Sequence, residues 1–563
     1  MANYVGIDFG TTNSAVAAFN GSPQILRRNE QDVLPSVVAV RNDGSVVIGH
    51  EAKAISRSDN GYRSIKTILG ENEYVTLKGT AHRPEEIAAS IFRKLKEIAE
   101  ENLHEPVTRA VITVPANSKG MQRSATKIAA GLARIQVLTL INEPTAAAMA
   151  YGLDSRKEQT VMVYDFGGGT FDVTILRVHH GVFEELSSKG IRHLGGDNID
   201  RRLVEYAANE CYRTLSREIV PDSREFKELE LECENAKICL SNALSASIRS
   251  ISLGFECDIT REHFNGMIES LIAETRSPMD TVLRDAQLTK DDIDTVLLVG
   301  GTSKIPAVRE FVMSYFGREI LSDGVDPMTC VAEGAAIASA LLQDAPGMDD
   351  YAYSVKLEHS LCTDPFDLER GQKVLEPIIE RGRDIPCSDT HVYYPVVDYS
   401  EEITIGVYEG DVFDNPKDPA NVRLASIRVP IDPPRPSEQV PIAVTYSYDA
   451  EGILTVVAVD RGTQRTFDKI VQYSGPELSP KELVQISKKT DERVASEKEY
   501  PEAVFALKQA KGKVLPALDG EEAYLLNELC ERLIDAMESA NDTAVCEALE
   551  LLNDELIRYP FLL

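Results

Sequence analysis

One glycine-rich hairpin occurs twice in this chain, and the repeat restricts the fold more than any other feature. Asp8-Phe9-Gly10-Thr11-Thr12 follows one apolar strand and leads into another, Ala15 to Phe19. Asp165-Phe166-Gly167-Gly168-Gly169-Thr170 has the same setting, with Thr160 to Tyr164 before it and Phe171 to Val178 after it. Each reads as a β-hairpin whose turn carries an aspartate and a threonine. A matched pair predicts a duplicated lobe. Tight turns of Gly, Thr and Ser point several backbone N–H groups one way, and such a nest binds phosphate oxygens. Two nests across a cleft can hold a polyphosphate. An aspartate beside each, Asp8 and Asp165, can then hold Mg2+ through its water shell. Gly195-Gly196 and Gly300-Gly301 are further turns of the same kind.

The 563 residues are too many for one core. At roughly 150 residues per domain, three or four units are expected. Around the hairpins strands alternate with helices. Val107 to Val114, Val137 to Ile141 and Val296 to Val299 read as strands. Gln122 to Leu132, the Ala146-Ala147-Ala148 stretch, Ile199 to Arg217, Phe226 to Leu244 and the segment after Ile305-Pro306 read as helices. That is an α/β texture with helices on both sheet faces. It gives way at an acidic connector, Gln343 to Asp350. From Tyr351 to Tyr473 short strands and turns follow, including a hairpin from Ala443 to Tyr448 and Ile453 to Val459 around Asp449 to Gly452. Ser479-Pro480-Lys481-Glu482 forms a capping box, so helices begin there and run to the end, broken near Pro501, Pro516 and Asn541. Leu525, Leu529 and Leu533 mark a stripe expected to core a small bundle. The expected division is 1–343, a linker at 344–350, a β domain at 351–475 and helices at 476–563.

There are 59 basic and 90 acidic side chains, a net charge of −31. That surplus argues against binding nucleic acid or an anionic membrane. It leaves room for a nucleotide held by amides, a few cations and a metal ion. The nine cysteines form no Cys-x-x-Cys pair, and Cys233 and Cys239, the closest, fit packing on a helix. Reduced thiols, no signal peptide and no membrane-length apolar run predict a cytoplasmic protein. Asp-Phe-Gly also marks protein kinases, but no kinase glycine loop or His-Arg-Asp-x-x-x-x-Asn segment accompanies it. No Gly-x-x-x-x-Gly-Lys-Ser/Thr run occurs either.

Four long segments carry a family resemblance: Gly6 to Ser14, Ile141-Asn142-Glu143-Pro144-Thr145-Ala146-Ala147-Ala148, Asp165 to Asp172, and Val299-Gly300-Gly301-Thr302-Ser303-Lys304-Ile305-Pro306. They resemble the seventy-kilodalton heat-shock proteins, the DnaK-type chaperones. The resemblance is strong over Asn3 to Leu342 and continues more weakly through Val444 to Tyr446 and Asp449 to Leu454. It implies an actin-like two-lobed ATPase, an antiparallel β-sandwich and a short helical, lid-like domain. It implies ATP or ADP with Mg2+, and admits K+. Thr11, Thr12 and Gly167 to Thr170, with Gly10 and Asn13, match the phosphate cradle. Lys66 matches the lysine at the terminal phosphate, and Glu143 and Asp172 the carboxylates that orient water. Glu234, Lys237 and Ser241 match the set that encloses adenosine, and Gly195, Gly196, Gly300, Gly301 and Lys304 are further nucleotide-binding candidates. Read without the family, Glu234 and Lys237 would be an ordinary i, i+3 pair on an amphipathic surface. Pro115 and Arg123 match an interdomain relay. The implied activity is slow ATP hydrolysis that times the binding and release of client polypeptides, with a J-domain cochaperone and a nucleotide exchange factor as partners.

The chain departs from the family pattern at several positions. The linker is polar and acidic instead of leucine-rich, which implies weaker or differently built interdomain coupling. Lys304 replaces a stacking arginine, and a lysine cannot stack as a planar guanidinium does. Met328 replaces an aspartate, and Thr139 an arginine that meets the J-domain. Ala116-Asn117-Ser118-Lys119 replaces an aromatic-containing run. Two alternatives stay open: a nucleotide-binding scaffold for one dedicated partner, and an actin-like metabolite kinase.

Overall fold

The computed structural model describes residues 4–56, 60–71, 73–118, 120–152, 157–179, 182–221, 223–322, 324–343, 345–346, 357, 359–418, 421–448, 454–471, 500–518, 520–559 and 562. The capping box at 479–482, the turn at 449–452 and most of the acidic connector lie outside them.

Two sheets share one topology. In the first, Tyr4–Asp8, Asn13–Phe19 and Pro23–Ile25 form an antiparallel meander, and Arg109–Val114 then Gln136–Asn142 add in parallel beside Tyr4–Asp8. In the second, Gln159–Phe166, Thr170–His179 and Val182–Arg192 form the meander, and Thr295–Val299 adds in parallel beside Gln159–Phe166. The repeat in the sequence is therefore a repeat in space. In both sheets the first two strands meet at the glycine turn, so the turns sit at the same corner of each lobe. The strands are buried on both faces, as Val161 and Val163 on one face and Met162 and Tyr164 on the other show, which is why they read as apolar runs.

Helices pack on these sheets. Cys330–Leu342 lies against Tyr4–Asp8 so closely that a Cβ at Gly6 would fall 2.1 Å from the Ala336 nitrogen. Small residues on both elements allow that approach. Gly196–Leu215 and Arg224–Asn242 belong to the second lobe's core. Cys233 and Cys239 lie on the latter helix, and all nine cysteines are free.

Residues 361–471 fold into two four-stranded antiparallel sheets. One core joins them: Ile379, Val407 and Val429 from one sheet pack with Val444, Tyr446 and Val456 from the other. The expected hairpin is present as Ile442–Tyr448 paired with Leu454–Asp460. The Tyr446 hydroxyl donates to the Cys362 carbonyl at 3.0 Å across the sandwich.

The C-terminal helices are Pro501–Gln509, Gly520–Glu538 and Asp542–Leu556, with a wider π turn at Ala510–Val514 and a tighter turn at Leu515–Ala517 around Pro516. Pro501 occupies the first helical turn and Asn541 caps the last helix, as those residue types should. The leucine stripe holds in part: Leu533 is buried and Leu529 packs half-buried against the core, but the buried face passes through Leu526. Leu525 is exposed, whereas Leu526, Cys530, Leu533 and Met537 are buried. Adjacent leucines offer two faces, and packing selects one. The bundle's core includes Val37, Ala39, Val47, Ala52 and Ile55 of the first lobe, and no described sandwich residue. Among the described residues, the helices thus pack on the α/β lobes and share no core with the sandwich.

Candidate nucleotide site

The two hairpin turns face each other in contact. A Cβ at Gly168 would fall 2.2 Å from Thr12 Oγ1, and one at Gly169 would fall 3.3 Å from Thr11 Cγ2. Only glycine admits threonines this near. The first loop is fixed from below: the Gly10 N–H donates to Ser14 Oγ at 3.2 Å, and Ser36 Oγ donates to the Gly10 carbonyl at 2.8 Å. Asn13 opens the strand that follows, paired with Pro35. The second loop is fixed from the side. The Gly196 and Asp197 N–H groups donate to the Gly167 and Gly168 carbonyls at 3.0 and 2.8 Å. Thr302 Oγ1 donates to the Gly167 carbonyl at 2.8 Å. Gly195 and Gly300 have no room for a side chain, since a Cβ would meet the Gly168 carbonyl oxygen at 2.3 Å and the Phe166 carbonyl oxygen at 2.4 Å. Gly300 also has φ of 83°, a backbone state that disfavours any other residue. The sequence motifs at 195–196 and 300–301 therefore meet the second hairpin.

Acidic side chains converge beneath the loops. Asp8 ends its strand, and Thr113 Oγ1 on the neighbouring parallel strand donates to its Oδ1 at 2.9 Å. Asp165 and Asp172 are directly opposite each other in the second hairpin. Glu143 begins the helix Glu143–Ala150. Lys66, on the short Ile65–Ile68 turn, donates from Nζ to Glu143 Oε1, and both side chains are nearly buried. Burial, then the charge of Glu143, pushes the Asp8 carboxyl up to about 7, with Lys66 and Thr113 pulling against them. Burial and Glu143 likewise raise Asp172 to about 6, opposed by bonds from Asn117 and Thr170. Asp165 is held well above the carboxylate range by burial and by Glu143, Asp172 and Asp8. Four carboxylates share one lysine in a closed space, and that imbalance calls for a cation. Among the described residues no three His, Cys, Asp or Glu side chains are arranged to share a metal directly. Thr12 Oγ1 is buried without a partner, a donor aimed into the cradle with nothing to bond.

The adenosine candidates lie on one face of Arg224–Asn242 but pair elsewhere. Glu234 accepts from Lys53 Nζ of the first lobe at 2.8 Å. Burial alone would raise its carboxyl, but Lys53, with Lys237 and Arg63 behind it, holds it below the usual range. Lys237 Nζ donates to Asp200 at 2.7 Å, so the i, i+3 pair does not form. Ser241 bonds back to the Lys237 carbonyl at 3.5 Å. Lys304 pairs with Asp326 at 2.7 Å and is half-exposed. Met328 lies over Gly301 with its sulfur 3.7 Å from where a Cβ would be.

Four contributors escaped the sequence reading: Thr113, Asn117, Lys53 and Asp200. Asn117 Nδ2 donates to Asp172 Oδ1 at 3.3 Å. Thr113 left one signal, a polar residue inside a buried strand just before Pro115. Arg123 Nη2 donates to Asn142 Oδ1 at 2.5 Å, and Asn142 donates to Glu185 at 3.1 Å, so the relay candidate touches the residue beside Glu143. Thr139 is buried in its strand and offers almost no surface to a partner. A separate open cavity of about 510 Å³, lined by Arg27, Arg28, Glu101, Asn102, His104 and Pro501, holds none of these groups.

Comparisons with known proteins agree with this geometry. The family model described as Hsp70 protein matches residues 4–555. The chain is 35% identical over 585 residues to a protein named Chaperone protein DnaK from Thermosipho africanus, covering 98% of this chain and 95% of that one. It is 36% identical over 551 residues to Chaperone protein dnaK from Cyanophora paradoxa, covering 91% and 87%. A Thermotoga neapolitana protein of the same name is 36% identical over 510 residues, covering 87% and 84%. With two duplicated nucleotide-type hairpins, a sandwich and terminal helices all inside the matched span, this chain belongs to the Hsp70 family.

Proposed function

We propose that ATP binds between the two glycine hairpins and that Lys66, Glu143 and Asp172, with Thr170, position the attacking water. The chain is an ATP-dependent chaperone, and its enzymatic activity is ATP hydrolysis. The observation that carries the site reading is the loop contact itself, in which Thr12 Oγ1 lies buried and unpartnered against Gly168. A polyphosphate would give that hydroxyl and the surrounding N–H groups acceptors. Amides of Gly10 to Asn13 and Gly167 to Gly169 would cradle it, because backbone donors neutralise anionic oxygens without added charge. Asp8 and Asp165 fit a hydrated Mg2+, and a K+ ion is compatible with the same acidic surroundings. When bound, Mg2+ neutralises phosphate charge and relieves the crowding of carboxylates. Glu143 and Asp172 accept hydrogen bonds from water, and Lys66 steadies both Glu143 and the terminal phosphate. Glu234, Lys237 and Ser241, with Gly195, Gly196, Gly300, Gly301 and Lys304, enclose adenosine. Little covalent work falls to the protein, so positioning and charge supply most of the rate.

The sandwich's own core supports a division of 1–343 from 351–475 across a linker at 344–350, and the helices of the proposed 476–563 unit share their core with the first lobe. The sandwich is the proposed client-polypeptide domain, with a J-domain protein and an exchange factor as partners. Nine free cysteines and the absence of a membrane-length apolar helix among the described residues support the cytoplasm. Neither the metabolite-kinase nor the scaffold alternative gains support, since the family match extends through the sandwich and the helices.

Calorimetric titration of the full chain with Mg2+-ATP tests the site. Gly168→Val drives a side chain into Thr12 and should abolish the binding seen with the natural chain. Equal affinity in that variant would overturn the placement.

A further inference from the structure

We propose that the C-terminal helical bundle is a clasp across the mouth of the nucleotide cleft that slows nucleotide release, with Arg249 as its foothold on the second lobe. The inference rests on the cleft between the hairpins being the nucleotide site.

The bundle touches both lobes. On the first it shares a continuous apolar core, and polar contacts surround that core. The Arg41 guanidinium, fully buried and paired with Glu51, lies 5.0 Å from the centre of the Tyr500 ring. The Tyr500 N–H donates to Glu51 at 3.3 Å, and the Asn42 N–H to the Glu538 carbonyl at 3.2 Å. On the second lobe the contact is smaller and mainly polar, with Ile251 packed against the bundle's core. Arg249, in the strand Ser245–Ser250, donates from Nη1 to the Leu515 carbonyl at 3.0 Å and to the Leu518 carbonyl. Those carbonyls are available because Pro516 and the tight turn around it interrupt helical bonding. Lys511 pairs with Glu531 at 2.9 Å and lies in the field of Glu228 and Glu232. A cavity of about 30 Å³ separates these groups, with room for roughly one water.

Glu228 and Glu232 belong to Arg224–Asn242, the helix that also presents Glu234, Lys237 and Ser241 to the cleft. Lys53, which bridges to Glu234, belongs to His50–Ile55, the first-lobe helix whose Ala52 and Ile55 lie in the bundle's core. The bundle therefore holds the two helices that close over the nucleotide. The hairpins touch, so a nucleotide leaves only when the lobes part. Parting them must break the bundle's contact with one lobe. An apolar interface with several fully buried side chains outlasts two hydrogen bonds beside a water-sized gap. The bundle stays on the first lobe, and the bonds to Arg249 are the ones that break.

The test is release of a fluorescent ADP analogue from the full chain, chased with unlabelled ADP. Arg249→Ala should release it roughly tenfold faster, the effect of losing charge-assisted bonds. Arg249→Lys, which keeps the charge but one donor point, should fall between. Glu256 accepts from Arg249 Nη2 at 2.9 Å within the hairpin, so Glu256→Ala reports that bond alone and should leave release unchanged. A natural release rate in Arg249→Ala, or equal acceleration in Glu256→Ala, would overturn the clasp. A measurement without variants guards against misfolding: bound ADP should slow hydrogen exchange at residues 503–518 of the natural chain, and no change there would also overturn it. If the natural chain fails to take up the analogue, the nucleotide-site reading falls first and the clasp with it.

Discussion

At the residue scale the site is a problem of charge. Asp8, Asp165, Asp172 and Glu143 face a single Lys66, and burial pushes the Asp8, Asp165 and Asp172 carboxyls upward before any neighbour acts. Lys66→Ala leaves the hairpin amides intact but removes the cation at the terminal phosphate. Turnover should drop on the order of 10²–10³-fold while Mg2+-ATP still binds; single-turnover hydrolysis beside equilibrium binding separates the two, and undiminished hydrolysis would remove Lys66 from its role. Asp8 and Asp165 act on affinity. In the double alanine variant ATP binding should lose its dependence on Mg2+, read by titration with and without the ion, and a retained dependence would point to other ligands. Much of this site was legible in the sequence because its parts are contiguous: Asp8 to Thr12 and Asp165 to Thr170 are unbroken runs. Thr113, Asn117 and Lys53 were not, because each reaches the site from a distant segment, with no local pattern to mark it. Lys66 shows the middle case. Nothing local separates it from a surface lysine, and only its motif did so before its contact with Glu143 was seen.

Elements were legible where burial is one-sided or complete. The parallel strands announced themselves as apolar runs, and the expected helix ends are within a few residues of those observed. The terminal helices were harder. Leu525 and Leu526 are both consistent with a four-residue repeat, and the choice between them depends on Val37 and Ala52 of another lobe, which no helix period contains. The same packing makes a pH-dependent contact. Burial pushes Glu232 up to about 7, against the pull of Lys511, with Glu228 adding to the rise and Asn235 and Arg249 opposing it. A folded pKa above the unfolded one means that folding favours the protonated form. The group's contribution is then full below its unfolded pKa and is lost as pH climbs through 7. Glu232→Gln fixes the neutral form. Its melting temperature should exceed that of the natural chain by roughly 2–4 °C at about pH 8 and nearly match it at about pH 5. A melting temperature below that of the natural chain at about pH 8 would mean that Lys511 holds the carboxylate ionised.

At the scale of the whole molecule the question is how the nucleotide reaches the sandwich. The linker's polar composition suggested weak coupling, yet its first part is not detached. The Ala345 N–H donates to the Ala340 carbonyl at 3.0 Å, and Ala345 is buried with Ala340 beside Tyr4 and Phe19. Tyr4 begins the strand that ends at Asp8, so the start of the tether packs against the strand that carries Asp8 to the nucleotide site. Coupling by linkage requires that ATP and a polypeptide favour different global states. An unfolded, labelled peptide should therefore leave the full chain faster with ATP than with ADP, and its equilibrium affinity should be lower with ATP by a factor of roughly 5–150, the usual size of such coupling. Reciprocity adds a second reading of the same quantity. At equilibrium, saturating peptide must weaken ATP binding by the factor by which ATP weakens peptide binding. Equal release rates with both nucleotides and an ATP affinity indifferent to peptide would together describe a scaffold that holds its partner whatever nucleotide it carries. A shift in only one of the two affinities would violate linkage and point to a second binding site for the peptide.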